Sequence, residues 1–252
     1  MSIEKTSAIV LSMFPWRETS SIVTLFTKDY GKVSGVAKGI RRLKPAIVPL
    51  ERGQIIDTII YTRQSRTLQT LTDLQVVDFF PLIRSDLEKT ALRDIAIELI
   101  LKSIHDTGSH PEFYERACLY FSELEKSKGC ANNFTLLWKY ILDVANLLGF
   151  GVNLEKCVTC RTSNFLQTTG GYFDISRGGI ICTSCCGVSV NRDFFMSSSV
   201  LSNIKNTEVT NYVAIPSELI RLTRLLISHC RLHIEITNEF KSVSFIEEIL
   251  LS

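Results

Sequence analysis

The sequence lacks the features that mark a membrane-spanning or secreted chain. No stretch reaches the roughly 18 consecutive apolar residues that a membrane-spanning helix needs. The first residues, MSIEKTSAIVLSMFPWRE, lack the basic segment, apolar run and small-residue cleavage site of a signal peptide. We therefore expect a soluble intracellular protein without a membrane partner.

Motifs of catalytic sites are also missing. The chain contains no G-x-x-x-x-G-K-[ST] phosphate loop, no G-x-S-x-G turn, no H-E-x-x-H helix and no G-x-G-x-x-G dinucleotide loop. Acidic residues do not cluster as a two-metal nuclease requires. His229 and His233 have i, i+4 spacing without an adjacent glutamate, which favours a partly exposed pair at a helix end. We expect that the protein is not an enzyme.

What the sequence does contain is a globular composition with an uneven charge. Of 252 residues, 45% are hydrophobic and 21% charged, enough to bury one large core or two smaller ones. Residues 1–80 hold 11 Lys/Arg against 7 Asp/Glu, whereas the rest hold 17 against 19. Residues 32–66 alone contain eight basic and two acidic side chains. Such a cluster favours a polyanionic partner.

The first 80 residues have the alternating pattern of β-strands. Runs rich in β-branched and aromatic residues are separated by turn signals, one of which is Lys28–Gly31 with its glycine suited to positive φ. The predicted strands are Ser7–Phe14, Ser20–Thr27, Lys32–Ala37, Val48–Tyr61 and Arg66–Val77. Five strands without a long helix predict a small five-stranded β-barrel over residues 1–80.

Residues 81–252 change to a helical period, so the predicted fold class is α+β. The predicted helices are Ser85–Ile104, Pro111–Lys126, Asn133–Leu148, Ser197–Asn206, Ser217–Leu232 and Phe245–Leu251. For the third we expect Asn132 or Asn133 as the N-cap and Gly149 as the stop. Residues 151–190 are instead rich in Cys, Gly and Thr, which predicts a module inserted into the helical domain.

This inserted module carries two C-x-x-C pairs, Cys157-Val-Thr-Cys160 and Cys182-Thr-Ser-Cys185. The spacing is close to that of zinc ribbons, in which a hairpin brings two pairs together around one ion. We therefore predict one Zn²⁺ ion bound by Cys157, Cys160, Cys182 and Cys185. Four thiolates leave no open position for substrate, so the predicted role is structural.

Alternatives remain for individual cysteines. A redox pair would follow a strand in a βαβ unit, and no such unit is predicted here. Cys186 directly follows Cys185 and could replace it as a ligand. We expect Cys118 and Cys230 to be buried spectators in helices and Cys130 to lie in a loop without a role.

Seven basic residues are candidates for binding nucleic acid. They come from the segment that follows the third strand and from a second predicted turn of the same barrel: Lys32, Lys38, Arg41, Arg42, Lys44, Arg63 and Arg66. Phe14, Trp16 and Tyr30 could add stacking platforms for bases, although aromatic residues of this kind also fill cores. The alternative for the basic residues is an ordinary solvated surface.

Taken together, these residues resemble the bacterial RecO family of recombinational repair proteins. The matching segments are Ala8–Leu11, Glu18, Thr24–Thr27, Gly31–Lys32, Lys38–Arg42, Leu147–Phe150, Cys157–Cys160, Gly178–Cys185, Lys241–Ser242 and Phe245–Ile246. The resemblance implies an OB fold at the N-terminus, followed by a helical domain that bears the zinc ribbon.

The resemblance also implies a function. Members of the RecO family bind and anneal single- and double-stranded DNA in the bacterial cytoplasm, at the nucleoid, and the resemblance implies the same for this chain. They work with RecR and recognise the acidic tail of single-strand DNA-binding protein, so that RecA is loaded onto coated DNA. Two rivals stay open on the residues alone: a zinc-containing protein-interaction adaptor and an RNA-binding factor, since OB folds and zinc ribbons serve both nucleic acids.

Overall fold

The fold is given by a computed structural model that describes residues 2–41, 49–63, 65–104, 108–187, 195–205 and 215–251. The chain divides into two compact units, residues 1–125 and 126–252. The domain boundaries predicted from sequence, 1–80, 81–252 and the insertion at 151–190, stay predictions.

The first unit begins with five strands: β1 (Ser2–Trp16), β2 (Ser20–Thr27), β3 (Gly31–Ala37), β4 (Ile55–Thr62) and β5 (Gln69–Asp78). β1 is long enough to pair with two neighbours, since residues 2–9 pair with β4 and residues 8–16 with β2. A register shift between Val10 and Ser12 marks the irregularity in its pairing with β2. Such bulges bend a strand, which allows β1 to pair with both β2 and β4 as the barrel closes.

The barrel closes in the order β1-β2-β3-β5-β4, and its one parallel contact is Gly35–Ala37 of β3 against Gln69–Leu71 of β5. This arrangement confirms the predicted five-stranded OB-type barrel. Alternate side chains fill its interior, as the strand period requires. The buried members of this core are Ala8, Val10, Val23, Leu25, Ala37, Leu50, Ile56, Ile60 and Leu71.

Strand ends differ from the prediction in places where turns take over. β1 begins at Ser2, not Ser7, because its first residues pair with β4. β5 begins at Gln69, not Arg66, because Arg66 lies in the turn after β4. The predicted start of the fourth strand, Val48, lies outside the described residues. The predicted hairpin turn is confirmed, with Gly31 at φ +61°.

Three helices complete the first unit: α1 (Pro81–Ser85), α2 (Leu87–Ser103) and α3 (Pro111–Lys126). Asp86 caps α2, because its carboxylate accepts the backbone N–H of Lys89 at 3.1 Å. The start of α1 has a partner from α3, where the Glu125 carboxylate accepts the N–H groups of Leu82 and Ile83 at 2.8 Å each.

The second unit contains the helices α4 (Cys130–Leu147), α6 (Ser198–Lys205), α7 (Pro216–His233) and α8 (Lys241–Leu251). The predicted stop of α4 is confirmed, with Gly149 at φ +88°. The predicted cap is wrong: α4 begins at Cys130 with Gly129 at the cap, and Asn133 is buried inside the helix. Cys130 therefore lies in a helix, not in a loop.

The cysteine-rich segment forms a short helix and a small sheet between α4 and α6. These elements are α5 (Phe165–Thr168), β6 (Gly171–Asp174), β7 (Gly179–Cys182) and β8 (Phe195–Met196), with the sheet order β7-β6-β8. β6 and β7 form the hairpin that the two C-x-x-C pairs require. Among the described residues, no helix is long and apolar enough to cross a membrane.

Candidate nucleic-acid interface and metal site

The turn between β1 and β2 borders a cavity of about 370 Å³, here called the hairpin pocket. Its lining residues are Trp16, Arg17, Thr19, Ser20, Val36, Lys38 and Gly39. The backbone of Arg41 ties the end of β3 to this turn, since its N–H donates to the carbonyl of Thr19 at 3.0 Å. The pocket is therefore built where two strand ends of one barrel meet.

A second cavity of about 310 Å³ lies against the turn between β4 and β5 and is here called the loop pocket. It is lined by Lys38, Tyr61, Arg63, Arg66, Leu68, Gln69, Thr70 and Thr72. Lys38 lines both pockets, so the two cavities are neighbours on the barrel surface. The parallel pairing of β3 with β5 brings Lys38 to this turn, although 25 positions separate Lys38 from Arg63 in the sequence.

The structure thus brings together three of the predicted cations, Lys38, Arg63 and Arg66. Arg41 is exposed, and its guanidinium donates to the carbonyl of Arg17, a residue of the hairpin pocket, at 3.3 Å. Arg42 and Lys44 lie outside the described residues.

Lys32 does not belong to this group. It lies near the start of β3, and six residues of extended strand span roughly 20 Å to Lys38. Its ammonium donates to the carbonyl of Leu101, near the end of α2, at 2.9 Å. Partial burial lowers the pKa of Lys32. The side chain is therefore engaged with a helix C-terminus, where a cation is favoured.

The three aromatic candidates, like the cations, lie in different places on the barrel. Trp16 lines the hairpin pocket and is 44% exposed, whereas Phe14 is exposed outside both pockets. Tyr30 packs against the barrel core, and its hydroxyl donates to the Glu4 carboxylate at 2.7 Å. Only Trp16 among the three combines exposure with a place in a pocket.

Sequence reasoning missed Arg17, which lines the hairpin pocket beside Trp16. It lies outside the basic run of residues 32–66. The pairing of β1 with β2 brings Arg17 to the pocket, and the position of Arg17 in the sequence does not indicate this. Its backbone has φ +54°, a value uncommon outside glycine that is found in tight turns and at functional sites. No acidic residue is among those described as lining either pocket. The charged residues described as lining the two pockets are therefore all cations.

In the second unit, the sulfur atoms of Cys157, Cys160, Cys182 and Cys185 all lie within 4.8 Å of one another. A tetrahedral ion with metal–sulfur bonds of about 2.3 Å places its sulfur ligands about 3.8 Å apart. The Sγ atoms of Cys160 and Cys182 are already 3.7 Å apart. The four thiols thus have the spacing of a metal site.

Electrostatics around these sulfurs also suits a cation. Burial raises the pKa of Cys157, but backbone N–H groups of Cys160, Cys182 and Thr159 outweigh it and lower the pKa to about 6. Hydrogen bonds to the sulfurs of Cys160 and Cys182 raise the pKa of Cys185 to about 12. Sulfurs crowded together in this way disfavour several thiolates at once unless a cation balances their charge.

Cys186 is not part of this cluster, since the four mutually close sulfurs include Cys185. The Cys186 thiol instead contacts the carbonyl of Gly187 at 3.8 Å. Cys230 is buried in α7, and Cys118 is half-buried in α3.

His229 differs from its prediction as a partly exposed residue. It is buried, and its two ring nitrogens lie 3.1 Å and 3.0 Å from the carbonyl oxygens of Ile175 and Phe150. These contacts attach α7 to the turn between β6 and β7 and to the end of α4. His229 therefore joins the four-cysteine module to α7 within the second unit.

The structure has an OB-type barrel with cationic pockets, followed by helices that carry a four-cysteine module. Comparison with known sequences places this chain in a class of DNA repair proteins. The sequence model described as "Recombination protein O N terminal" matches residues 1–80, and "Recombination protein O C terminal" matches residues 84–242. The chain belongs to the RecO family.

Individual relatives agree with this assignment. The DNA repair protein RecO of Geobacter metallireducens is 32% identical over 189 residues, 73% of each chain. The DNA repair protein RecO of Pelodictyon phaeoclathratiforme is 28% identical over 263 residues, 99% of each chain. That of Caldanaerobacter subterraneus is 28% identical over 97% of this chain and 98% of its own.

Proposed function

We propose that this protein is a non-enzymatic DNA-binding protein of recombinational repair that binds and anneals DNA strands. The observation that carries the proposal is the pair of adjoining pockets on the barrel, which share Lys38 and have Arg17, Arg63 and Arg66 around them. Membership of a family of DNA repair proteins supports DNA as the polyanion.

Electrostatics explains how such a surface would work. Each cation that contacts a phosphate releases condensed counterions, so binding falls with salt and depends little on base sequence. Neutralising the phosphates of two strands lowers their repulsion, which favours annealing. The OB barrel supplies the scaffold, because the turns that follow β1 and β4 are the ligand-binding loops of this fold.

The proposal extends to partners and to the metal. RecR and the acidic tail of single-strand DNA-binding protein are the proposed protein partners, and loading of RecA onto coated DNA in the bacterial cytoplasm is the proposed outcome. Zn²⁺ is the proposed ion, because four thiolates at tetrahedral spacing suit it. When bound, it would supply a structural cross-link between the two C-x-x-C pairs.

The decisive experiment measures the fluorescence anisotropy of a labelled single strand at several salt concentrations. For the variant Arg63→Glu, Arg66→Glu we expect weaker binding and a plot of log affinity against log salt that is shallower by about two. A matched control is Lys5→Glu, Lys128→Glu, which makes the same change in net charge at exposed residues outside both pockets.

The outcomes separate the proposal from its rivals. Equal losses in the two variants would mean that the pockets are not the binding site. Tighter binding of an RNA of equal length would favour an RNA-binding factor. A folded wild type that binds neither nucleic acid would favour a protein-interaction adaptor.

A further inference from the structure

Trp16 is a large, exposed apolar residue of the barrel that borders a pocket. It lies at the last position of β1, opposite Ser20 of β2, and borders the hairpin pocket. It is 44% exposed, although an indole of this size normally buries most of its apolar surface. Trp16 is therefore partly uncovered at the border of this pocket.

The pocket around Trp16 is formed by tightly turned backbone. Arg17 and Gly39 both have positive φ, at +54° and +68°. Arg41 joins the two turns through its N–H to the carbonyl of Thr19 and its guanidinium to the carbonyl of Arg17. These two hydrogen bonds hold the β1–β2 turn against the end of β3. The cavity of about 370 Å³ is within the roughly 300–1,000 Å³ range of small-ligand pockets.

The chemistry of the lining indicates what such a pocket takes. The lining combines an aromatic residue, Trp16, with two cations, Arg17 and Lys38, and the described lining contains no carboxylate. A planar ring attached to a phosphate satisfies both features, because bases stack on aromatic side chains while cations neutralise phosphates. A base inside a duplex is already stacked and paired, so it is not available to enter. The complement of this pocket is an unpaired base.

We infer that the hairpin pocket binds one unpaired base of a single DNA strand, stacked on Trp16, with adjacent phosphates at Arg17 and Lys38. Because Lys38 also lines the loop pocket, the same strand continues toward Arg63 and Arg66. This inference rests on the proposed function and adds the feature that distinguishes a single strand from a duplex. Duplex DNA would use the cations without the indole.

Intrinsic tryptophan fluorescence tests the inference directly. The sequence has two tryptophans, and the other one, Trp138, is fully buried with its indole N–H donating to the Thr223 hydroxyl at 2.9 Å. A change in emission on adding DNA therefore reports on Trp16. We expect an oligothymidine single strand to quench this emission at saturation, and a duplex bound to saturation at low salt to leave it unchanged.

Binding measurements on variants provide a second readout. For Trp16→Leu we expect single-strand affinity to fall roughly 5- to 150-fold, the range for loss of one stacked base. Duplex affinity and the salt slope should stay at wild-type values, because the phosphate contacts remain. Trp16→Phe should restore most of the affinity, since it keeps an aromatic face. The matched control is Phe14→Leu, an exposed aromatic of the same strand outside the pocket.

The possible failures can be told apart. Single-strand binding that leaves the emission unchanged and is equally tight in Trp16→Leu would overturn the inference but not the proposed function. Equal quenching by single strand and duplex would also overturn it. If the wild type binds no DNA while remaining folded, the proposed function fails and the inference fails with it.

Discussion

At the scale of single residues, Gln69 organises the loop that carries two of the candidate cations. Its side-chain carbonyl accepts the N–H of Arg63 at 2.8 Å. Its amide donates to the backbone carbonyls of Arg66 at 2.7 Å and of Arg63 at 3.3 Å. One side chain thus spans the turn between β4 and β5 from within the loop pocket. We therefore expect Gln69 to position Arg63 and Arg66.

Replacing this side chain tests the positioning role. For Gln69→Ala we expect single-strand affinity to fall roughly two- to tenfold, the effect of losing one to two net hydrogen bonds that preorganise the loop. The salt slope should not change, because both arginines keep their charge. Arg66→Gln, in contrast, should lower the slope by about one. Both quantities come from anisotropy titrations across a salt series.

The control is Gln75→Ala, on the same strand. The Gln75 amide donates to the exposed Asp73 carboxylate at 2.8 Å, and Gln75 is not among the residues described as lining either pocket. We expect wild-type affinity. A salt slope that falls in Gln69→Ala as much as in Arg66→Gln would contradict a purely positioning role.

At the scale of elements, the contact between β3 and β5 closes the barrel and depends on Gly35. A Cβ atom built at Gly35 would lie 2.7 Å from Cγ of Leu71 and 2.9 Å from the backbone oxygen of Gln69. Real side chains do not approach so closely, and the backbone oxygen cannot rotate away. A glycine is therefore required where the two parallel strands meet.

The corresponding prediction concerns stability. Gly35→Ala should lower the free energy of unfolding by about 1–3 kcal/mol, as overpacking of a well-filled core does. Denaturant titration followed by circular dichroism measures this change. Ser34→Ala, on the same strand, loses one hydroxyl contact with Thr24 and should cost about 1 kcal/mol or less. A Gly35→Ala protein as stable as wild type would mean that β3 and β5 can separate freely.

At the scale of the whole molecule, the four-cysteine module lies within the second unit, and we expect a bound metal to stabilise that unit locally. The two C-x-x-C pairs lie in a segment with little other regular structure, whereas the barrel of the first unit has its own core. Because metal binding adds its free energy to folding, its loss should affect the parts that it cross-links.

Removing the metal tests this division. After treatment with a zinc chelator we expect backbone amides of residues 151–187 to exchange hydrogen faster, while those of the barrel strands stay protected. One equivalent of zinc per chain should be released, measured with a colorimetric indicator. Simultaneous loss of protection in both units would contradict a local role.

Two cysteine variants provide the matched comparison. Cys185→Ser should lose stoichiometric zinc, because it removes one of four clustered sulfurs. Cys186→Ser, one residue further on, should retain it, since its thiol lies outside the cluster. Zinc retention in Cys185→Ser but not in Cys186→Ser would exchange their roles.

Much of this molecule was predictable from local patterns. β2 and α3 have the predicted bounds, because their alternation and helical period leave one face to bury. The capping preference of asparagine did not predict the start of α4 correctly. Packing in the second unit buries Asn133, and the helix begins earlier, at Cys130. Burial in that case overrode the usual preference of asparagine for a cap.

The sequence by itself determined the barrel strands, the helical second half and the two C-x-x-C pairs, since each depends on residues close together in the chain. Only the tertiary structure decided which cations lie close together. Pairing of β3 with β5 brings Lys38 close to Arg63 and Arg66, and the β1–β2 turn places Arg17 in the neighbouring pocket. Lys32 lies near the other end of β3, where it contacts the end of a helix. The physical reason is that strand pairing brings together segments that are distant in the sequence. The composition of each segment does not show which other segment it pairs with.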